Sequence, residues 1–460
     1  MKWIAPCLTL LTCLAQAEEK QQALWIWHRR SPLTEAETQQ LHASRIQRLY
    51  WHIGTVNIGK TALQWQAAAA PRFQSTAGLI IVPVIRGSFA DGVVPQNTDP
   101  LFRLLHEIAQ QSGANIVQLD FDCPDRLLAE YGAMLNQLRQ RLHPTKLSIT
   151  ALAGCVTSPH FTALQASVDE LQPMFYDLEP DLPADVLQHQ AHPICEPSLV
   201  LPLLKAWTEK CHTPWWAGLP LYHRVTLFDA AGASRGHLRK WDWQSLASLP
   251  SLKWTPDTAM RWAEVTKEAK IGDAALHAGD QLIVRALDVA ALHQLQAAVS
   301  TTTATGINWF RLPEAGLTSG VSMAQALAIT LEQQPQPKIS LKLSDERLVL
   351  TVADADLFPR LPQPDGSGLW RLEIRSEDGA VFREAGKGQF VHSAPMGGGT
   401  VHLADVLAWD FSALQAGEDL RSGLIRLAPG SDPDRLRWHL SPLHGDEDWW
   451  PLSPTHSNPF

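Results

Sequence analysis

The chain has 460 residues, with 38 lysines and arginines against 47 aspartates and glutamates, and a formal net charge of −9 at pH 7. This length exceeds one ordinary domain and can hold a barrel of about 250 to 300 residues with a small second module. The negative charge argues against DNA, RNA or anionic lipid as a partner, because these ligands bind basic surfaces. We therefore expect a neutral or small ligand.

The N-terminus has the residue order of a secretory signal. Lys2 precedes an apolar run over residues 4–15, and Ala15 and Ala17 supply the small residues of a cleavage site before Glu18. This order predicts export from a bacterial cytoplasm with cleavage after Ala17, to the periplasm or beyond. Anchoring as a lipoprotein through Cys13 is the alternative. No later stretch approaches the roughly 20 apolar residues of a membrane helix, so the mature chain is expected to be soluble and to have no membrane span.

Four cysteines follow the signal, namely Cys123, Cys155, Cys195 and Cys211. In an oxidising compartment such cysteines commonly form disulfides. A Cys123–Cys155 bond would join two neighbouring strand ends, and a Cys195–Cys211 bond would bracket one helix. Four reduced, buried thiols are the alternative interpretation.

Eight short β-rich runs recur along the first two thirds of the chain. They cover residues 24–28, 48–56, 79–86, 116–122, 147–153, 171–178, 215–222 and 306–312. Helical patterns lie between them, over residues 34–46, 100–111, 125–142, 159–171, 198–210 and 288–299. This alternation predicts an α/β fold, a (β/α)8 TIM barrel over residues 18–333. An open doubly wound sheet is the alternative, but the chain has no glycine-rich phosphate loop after its first strand.

Two further segments are predicted outside the regular barrel. Residues 223–281 form an insertion after the seventh strand, whose tryptophans either wall a cleft or fill a small core of their own. A proline-containing linker at residues 332–337 precedes an all-β, sandwich-like domain over residues 338–460. Its predicted strands include residues 339–343, 348–352, 369–374 and 424–427. This domain either binds carbohydrate or has a structural or docking role.

The end of the fourth strand carries two carboxylates on one face. In residues 118–122 the side chains alternate, so Asp120 and Asp122 share a face with Gln118. If that face points into the barrel, repulsion between the carboxylates raises the pKa of one of them, which makes it a usable acid. A helix-capping role for the aspartates is the alternative.

The end of the sixth strand combines Met174, Tyr176 and Asp177, with Glu179 further into the loop. A phenol beside a carboxylate can orient a polar substrate group or share a proton. We predict that Tyr176 and Asp177 belong to the catalytic group, whereas Met174 and Glu179 contact substrate. A buried tyrosine bonded to aspartate is the structural alternative.

Other polar and aromatic residues near strand ends are predicted to bind substrate. They are Trp27, His28, Trp51, His52, Arg86, His223, Trp309, Arg311 and Glu314. The tryptophans are interpreted as platforms for sugar faces, with a place in the core as the alternative. The two early histidines lack the spacing of a helical zinc motif, so neither a metal nor another cofactor is predicted.

Residues 119–122 (LDFD) and 174–177 (MFYD) together resemble motifs of the family-eighteen glycoside hydrolases, the chitinase-like barrels. The resemblance implies that Asp120 and Asp122 match two acidic positions of the fourth strand. It also implies that residues 174, 176 and 177 match the sixth-strand motif, and that Trp309 forms the floor of the sugar site. The chain departs from that family at Pro124, which stands where the family has its proton donor, and at residues 82–87, which lack its serine-glycine signature.

A closer resemblance, over nearly the whole barrel, is to an uncharacterised family of exported bacterial proteins, a domain of unknown function. It rests on residues 25–29, 50–54, 118–124, 148–152 and 173–177. That family is regarded as glycoside-hydrolase-like by fold and has no assigned reaction. The resemblance therefore implies the barrel and leaves the chemistry to the site.

The leading functional hypothesis is a carbohydrate-active glycoside hydrolase acting on an oligo- or polysaccharide. In it Asp122 or Asp177 donates the proton, Asp120 tunes its neighbour and Tyr176 positions the sugar. The first alternative is a glycan-binding pseudo-enzyme that kept the cleft and lost the acid. The second is a periplasmic assembly or scaffold protein that docks through its C-terminal domain.

Overall fold

The structure is a computed structural model. It describes residues 20–27, 29, 31–59, 63–68, 78–90, 92–255, 260–313, 320–334, 337–357, 369–377, 382–390, 392–396, 404–442, 450–451 and 456–457. The predicted signal, His28 and Glu314 lie outside the described residues.

Eight parallel strands form the closed barrel that the sequence predicts, and the first strand pairs with both the second and the eighth. In order, barrel strands one to eight are Gln21–Ile26, Ile46–Ile58, Ile80–Phe89, Ile116–Asp120, Lys146–Leu152, Glu170–Met174, Trp216–Pro220 and Gly306–Phe310. A further strand, Leu63–Ala67, adds to the second barrel strand in antiparallel fashion. This strand was not predicted from the sequence.

Helices follow the barrel strands, and all but the fifth of them cover the outside of the barrel; the fifth packs its Val186 against the insertion. They are Glu35–Ala43, Asp99–Ser112, Leu128–Leu142, Phe161–Ala166, Pro183–Leu187, Pro197–Lys210, Val289–Ser300 and Met323–Thr330. Short 3₁₀ turns occupy Asp125–Leu127 and Ala153–Thr157. The first helix begins with a capping box, in which the Thr34 side chain accepts from the Glu37 amide and the Glu37 carboxylate accepts from the Thr34 amide.

Alternation along each strand separates an apolar outer face from a partly polar interior. Glu170 lies buried inside the barrel, where its carboxylate accepts hydrogen bonds from the Tyr50 hydroxyl at 2.6 Å and the Trp216 indole at 2.9 Å, and pairs with Arg48 at 2.6 Å. One layer nearer the carboxyl ends, Gln172 accepts from Gln118 and Trp25. Hydrogen-bonded layers therefore fill the barrel below its mouth.

The insertion after the seventh barrel strand is an antiparallel five-stranded sheet with its own core. Its strands are Arg224–Phe228, Ser234–His237, Leu252–Trp254, Arg261–Val265 and Gln281–Arg285, accompanied by the hairpin of Ala269–Ile271 with Ala274–Leu276 and by helix Trp243–Ser248. Trp241, Trp243 and Trp254 pack inside this core. The last strand ends at Arg285, four residues beyond the predicted limit, because it pairs with the first strand of the insertion.

The C-terminal segment is all-β, as predicted. Its strands are Lys338–Ser344, Arg347–Ala353, Trp370–Ser376, Phe382–Ala385, His392–Met396, Val406–Phe411, Asp419–Arg421, Ile425–Leu427, Leu436–Pro442, Trp450–Pro451 and His456–Ser457, with a 3₁₀ turn at Pro433–Arg435. They form sheets of four, five and two strands around one apolar cluster.

The C-terminal domain contacts both the insertion and the end of the barrel. The amide and hydroxyl of Ser412 donate to the Gln244 side chain in the insertion. Buried Asp356 accepts from the Ser322 amide, at the start of the last barrel helix, and from the Ala416 amide. The bond to Asp356 fixes the chain segment around Ser322.

All four cysteines are free, buried thiols, so the predicted disulfides are wrong. The thiols instead make local contacts with main-chain oxygens: Cys195 donates to the carbonyl of Phe175 at 3.1 Å, and Cys211 to that of Thr213 at 3.3 Å. Burial raises the pKa of the Cys123, Cys155 and Cys195 thiols to about 12, which disfavours the thiolate needed for disulfide exchange.

Within the described ranges, no helix is long and apolar enough to cross a membrane.

Candidate active site

An open cleft of about 780 Å³ lies at the carboxyl ends of the barrel strands. Barrel strands, the loops after them and the insertion all contribute to its lining. The lining residues include Trp25, Trp27, His52, Arg86, Asp120, Asp122, Met174, Tyr176, Asp177, Tyr222, His223, Arg224, His237, Arg239, Trp241, Phe310, Arg311, Gly320 and Val321. Most of the residues predicted for the site are thus brought together.

Asp120 ends the fourth barrel strand and points into the cleft floor, where it is only 8% exposed. One carboxylate oxygen accepts a hydrogen bond from the Thr150 hydroxyl at 2.9 Å. Burial raises the pKa of Asp120 to about 6, and the charge of Asp122 acts in the same direction, whereas Thr150 and Arg86 oppose the shift. Asp120 therefore exchanges its proton in the range where a general acid is useful.

Asp122, two residues further on, lies at the surface of the cleft with 57% of its side chain exposed. Its carboxylate is 3.9 Å from the Arg86 guanidinium, which lies over the Trp27 ring with 5.6 Å between the guanidinium carbon and the ring centroid. Arg86 therefore contacts the site carboxylate and an aromatic wall together.

Asp177 follows the sixth strand in a left-handed backbone conformation, with φ of +51°. Its carboxylate forms an ion pair with Arg224 and accepts a hydrogen bond from the Tyr222 hydroxyl at 2.7 Å. Its amide donates to the carbonyl of Ile194 at 2.7 Å. Both carboxylate oxygens are thus engaged by groups from the seventh strand's loop and the insertion, which hold Asp177 in place.

Tyr176 stands between the aspartates and an aromatic group. Its ring stacks on Phe310 at 5.6 Å and meets Tyr222 edge-on at 6.0 Å. Burial, together with the charges of Asp120 and Asp177, raises the pKa of Tyr176 well above its ordinary value. The phenol therefore stays neutral and can act as a hydrogen-bond donor.

A second group of aromatic rings adjoins the first, because Trp27 meets Phe310 edge-on at 6.2 Å. Trp27 stacks on His52 at 4.0 Å and on Trp25 at 5.8 Å.

His223 is buried, and its Nδ1 accepts a hydrogen bond from the Leu287 amide at 2.9 Å. Burial lowers the pKa of His223 to about 4, so the imidazole is neutral near pH 7 and carries its proton on Nε2.

Two predicted sugar platforms face away from the cleft, so that prediction is wrong. Trp51 and Trp309 lie in the apolar cluster between the barrel and its helices, and Trp309 is completely buried. Strand alternation accounts for this, because Tyr50, His52 and Phe310 take the inward positions beside them. Glu179 is exposed outside the residues that line the cleft.

Sequence reasoning missed several residues of the cleft. They are Trp25, Thr150, Arg224, His237, Arg239 and Phe310. Trp25 lies two positions before Trp27 on the same strand, so alternation alone was enough to place both on one face. His237 ends the second strand of the insertion and Arg239 follows that strand, whose direction the sequence does not indicate.

A second groove, of about 630 Å³, continues the cleft over the ends of the fourth to sixth strands. The two hollows share Asp122, Met174, Tyr176 and Asp177. Cys123, Cys155 and Ser158 border the far part of the groove. The carboxylates therefore lie near the middle of an extended depression.

One segment of the chain matches a protein-family model. Residues 78–237, from the third barrel strand to the start of the insertion, are similar to DUF3142, a domain of unknown function. The DUF3142 segment includes all three site aspartates together with Tyr176, Tyr222 and Arg224. No curated protein sequence matches the chain.

Solved structures with a similar barrel include a chitinase from Chromobacterium violaceum, at 16% identity and a TM-score of 0.46 over 69% of this chain and 100% of that one. The spore cortex-lytic enzyme SleL of Bacillus megaterium has 13% identity and a TM-score of 0.44 over 64% and 70% of the two chains. Human YKL-39, described as a pseudo-chitinase with retained chitooligosaccharide binding, has 12% identity and a TM-score of 0.42 over 64% and 93%.

Proposed function

We propose that the protein binds a carbohydrate chain in the barrel cleft and hydrolyses a glycosidic bond there. The observation that carries the proposal is the buried Asp120 carboxyl, with a pKa of about 6, beside the exposed Asp122 in an aromatic-walled cleft. Hydrolysis of a glycosidic bond generally needs two carboxyl groups in different environments, because one must hold a proton while the other stays charged.

In the proposed reaction Asp120 is the general acid. It gives its proton to the glycosidic oxygen as the bond from that oxygen to the anomeric carbon breaks. The Asp122 carboxylate faces the positive charge that develops on the sugar, and a water molecule then adds to the anomeric carbon and returns a proton to Asp120. Tyr176 donates a hydrogen bond to the bound sugar.

These roles differ from the sequence-based hypothesis, which gave the proton to Asp122 or Asp177. Asp177 is engaged by Arg224 and Tyr222, so we propose that it is a positioning residue that orders the tyrosine wall. Asp122 is largely exposed and lacks the burial that retains a proton on Asp120.

A glycan-binding protein without catalysis is the second candidate. It is favoured by Pro124, which comes four residues after the end of the fourth strand, immediately before the 3₁₀ turn, and has no proton to donate. In this case the cleft and its aromatic walls retain their role, and Asp120 contributes a buried hydrogen-bonding group.

The two candidates are separated by measuring binding and reducing-end release on a panel of bacterial and plant glycans. For a hydrolase we expect release by the unmodified protein and a loss of about 100-fold or more in Asp120→Asn and Asp122→Asn, with binding retained. Glu179→Gln, an exposed carboxylate outside the cleft, is the matched control and should leave release unchanged. Binding without release by the unmodified protein would establish the second candidate instead.

We also propose that the protein is exported to the periplasm or secreted after cleavage behind Ala17. The charge, apolar run and small residues at the N-terminus support this proposal. Mass measurement of protein recovered from the periplasm should give a chain that begins at Glu18. A fatty-acylated chain that begins at Cys13 would establish the lipoprotein alternative.

A further inference from the structure

The described lining of the cleft contains more arginines than carboxylates, although the protein as a whole is acidic. Four arginines border it, Arg86, Arg224, Arg239 and Arg311, against the three aspartates described above. The described lining therefore has one more positively charged than negatively charged side chain, even when all three aspartates are ionised. The whole chain has a net charge of −9, so this local excess opposes the overall field.

Two of the arginines already have anionic partners in the site. Arg224 pairs with Asp177, and Arg86 is 3.9 Å from Asp122. Arg239, on the side of the cleft that the insertion provides, belongs to neither of these pairs.

Arg239 is held at that side by its neighbours in the chain. Leu238 and Trp241 are buried in the core of the insertion, and the Leu238 amide donates to the carbonyl of Val225. Trp241 also meets Trp243 edge-on at 4.8 Å. The backbone on both sides of Arg239 is thus anchored, while the Arg239 side chain remains exposed at the cleft.

A guanidinium in such a position is suited to a planar anion. Arginine binds carboxylates and similar groups through two parallel hydrogen bonds, and such charge-assisted bonds are stronger than those between neutral groups. The partly exposed rings of Tyr176, Tyr222 and Phe310 offer apolar faces to a sugar ring in the same cleft.

Building on the proposed function, we infer that the ligand is an anionic carbohydrate, and that Arg239 binds its negatively charged group. A uronic acid carboxylate and a sulfate ester present the same chemistry to Arg239. The inference deepens the proposed function by naming the substrate class, and it makes Arg239 a residue that determines specificity.

The test is a binding screen of the full-length protein on an array of uronate-containing, sulfated and neutral oligosaccharides, followed by calorimetry on the best ligand of each class. We expect the tightest ligand to be anionic, with affinity that falls as salt rises from about 50 to 300 mM. Whether it is a uronate or a sulfated chain identifies the source of the charge.

Arg239→Ala should weaken binding of the anionic ligand by about tenfold or more. Lys240→Ala is the matched control, because Lys240 is the adjacent exposed cation, pairs with Asp273 and lies outside the cleft lining. It should change affinity less than twofold. Affinity for a neutral oligosaccharide should be the same in both variants.

Preferred binding of neutral glycans, or an unchanged affinity in Arg239→Ala, would overturn the inference while leaving the proposed function intact. Absence of binding to every carbohydrate on the array would overturn both.

Discussion

Asp120 and Asp122 are two positions apart on one strand, and burial distinguishes them. The first has an 8% exposed surface and accepts one hydrogen bond from Thr150, whereas the second has a side chain that is 57% exposed. A carboxyl group that is buried next to another carboxylate loses stability when it ionises. Ionisation of Asp120 above pH 6 therefore destabilises the folded state.

This leads to a prediction about stability. The pKa of Asp120 rises from 3.8 to about 6 on folding, so the folded state is favoured when the Asp120 carboxyl is protonated. This contribution to stability is fully present below pH 3.8 and is lost as pH rises through 6. Asp120→Asn removes the ionisation and keeps an oxygen for Thr150. We expect the free energy of unfolding to increase by up to about 3 kcal/mol at pH 8, and little at pH 4, in chemical denaturation.

Asp122→Asn is the control for this measurement, because its exposed carboxylate is already solvated. At pH 8 it should raise the free energy of unfolding much less than Asp120→Asn does, because it removes the repulsion between the two carboxylates and leaves Asp120 buried, which is the larger cause of the raised pKa. Equal effects of the two substitutions would contradict a special cost of ionising Asp120.

A second prediction concerns the hydrogen bond from Thr150. This bond lowers the pKa of Asp120, so Thr150→Val should move that pKa above 6, whereas Thr150→Ser should leave it near 6. Carboxyl carbon chemical shifts followed against pH measure the change directly. If the protein is a hydrolase, the alkaline limb of its pH profile should move in the same direction. An unchanged titration in the valine variant would show that the bond has no such effect.

At the scale of elements, strand alternation decides which tryptophans reach the cleft. Trp25 and Trp27 share the inward face of the first strand, whereas Trp51 and Trp309 face the helices. The sequence predicted all eight barrel strands, since each is a compact β-rich run. It did not predict which alternate side chains of each strand point into the barrel. A tryptophan packed against the helices and a tryptophan at the barrel mouth are equally apolar, so the residue type does not distinguish the two faces.

Arg285 joins two elements that position Asp177. It ends the last strand of the insertion, is completely buried, forms an ion pair with Asp181 and donates to the carbonyl of His192 at 2.7 Å. Asp181 lies in the same loop as Asp177, just after the sixth barrel strand. The insertion sheet is therefore tied to the loop that holds the site carboxylate.

We predict that Arg285→Met leaves Asp181 without its cation and lowers the free energy of unfolding by about 3 kcal/mol or more. Lys253→Met, an exposed cation on another strand of the same sheet, should cost less than about 0.5 kcal/mol. Chemical denaturation of both variants provides the measurement. Similar stability of the two would show that the buried ion pair does not join these elements.

At the scale of the whole molecule, the C-terminal domain supports the rim of the cleft. Gly320 and Val321 line the cleft, and the Gln415 side chain donates to the carbonyl of Gly320. The next residue, Ser322, donates its amide to Asp356. A domain outside the barrel thus holds part of the cleft wall.

We therefore expect Asp356→Ala to expose the Ser322 and Ala416 amides, which lose their buried acceptor. Hydrogen exchange at residues 320–322 should accelerate by about tenfold or more, while exchange in the fourth barrel strand stays unchanged. Asp354→Ala, which removes an exposed partner of Lys338 in the preceding turn, is the control. Equal protection in both variants would contradict support of the rim by Asp356.

The sequence allowed prediction of the barrel, the insertion and the all-β end of the chain, together with the aspartates of the cleft. It did not allow the role of each aspartate to be assigned. Arg224, which engages Asp177, is 47 residues away in sequence, and the raised pKa of Asp120 comes mainly from burial. Both effects arise from long-range packing, which local patterns do not encode.

The hydrogen-bonded layers inside the barrel have a further consequence for assembly. A shift of one residue in the pairing of any strand would turn Glu170, Gln172 or Gln118 towards the helices and bring leucines into the centre. Such a misaligned barrel would bury unpaired polar groups on one side and lose apolar contacts on the other. The polar centre therefore disfavours wrong strand registers. It also fixes the position of the cleft carboxylates along the barrel axis.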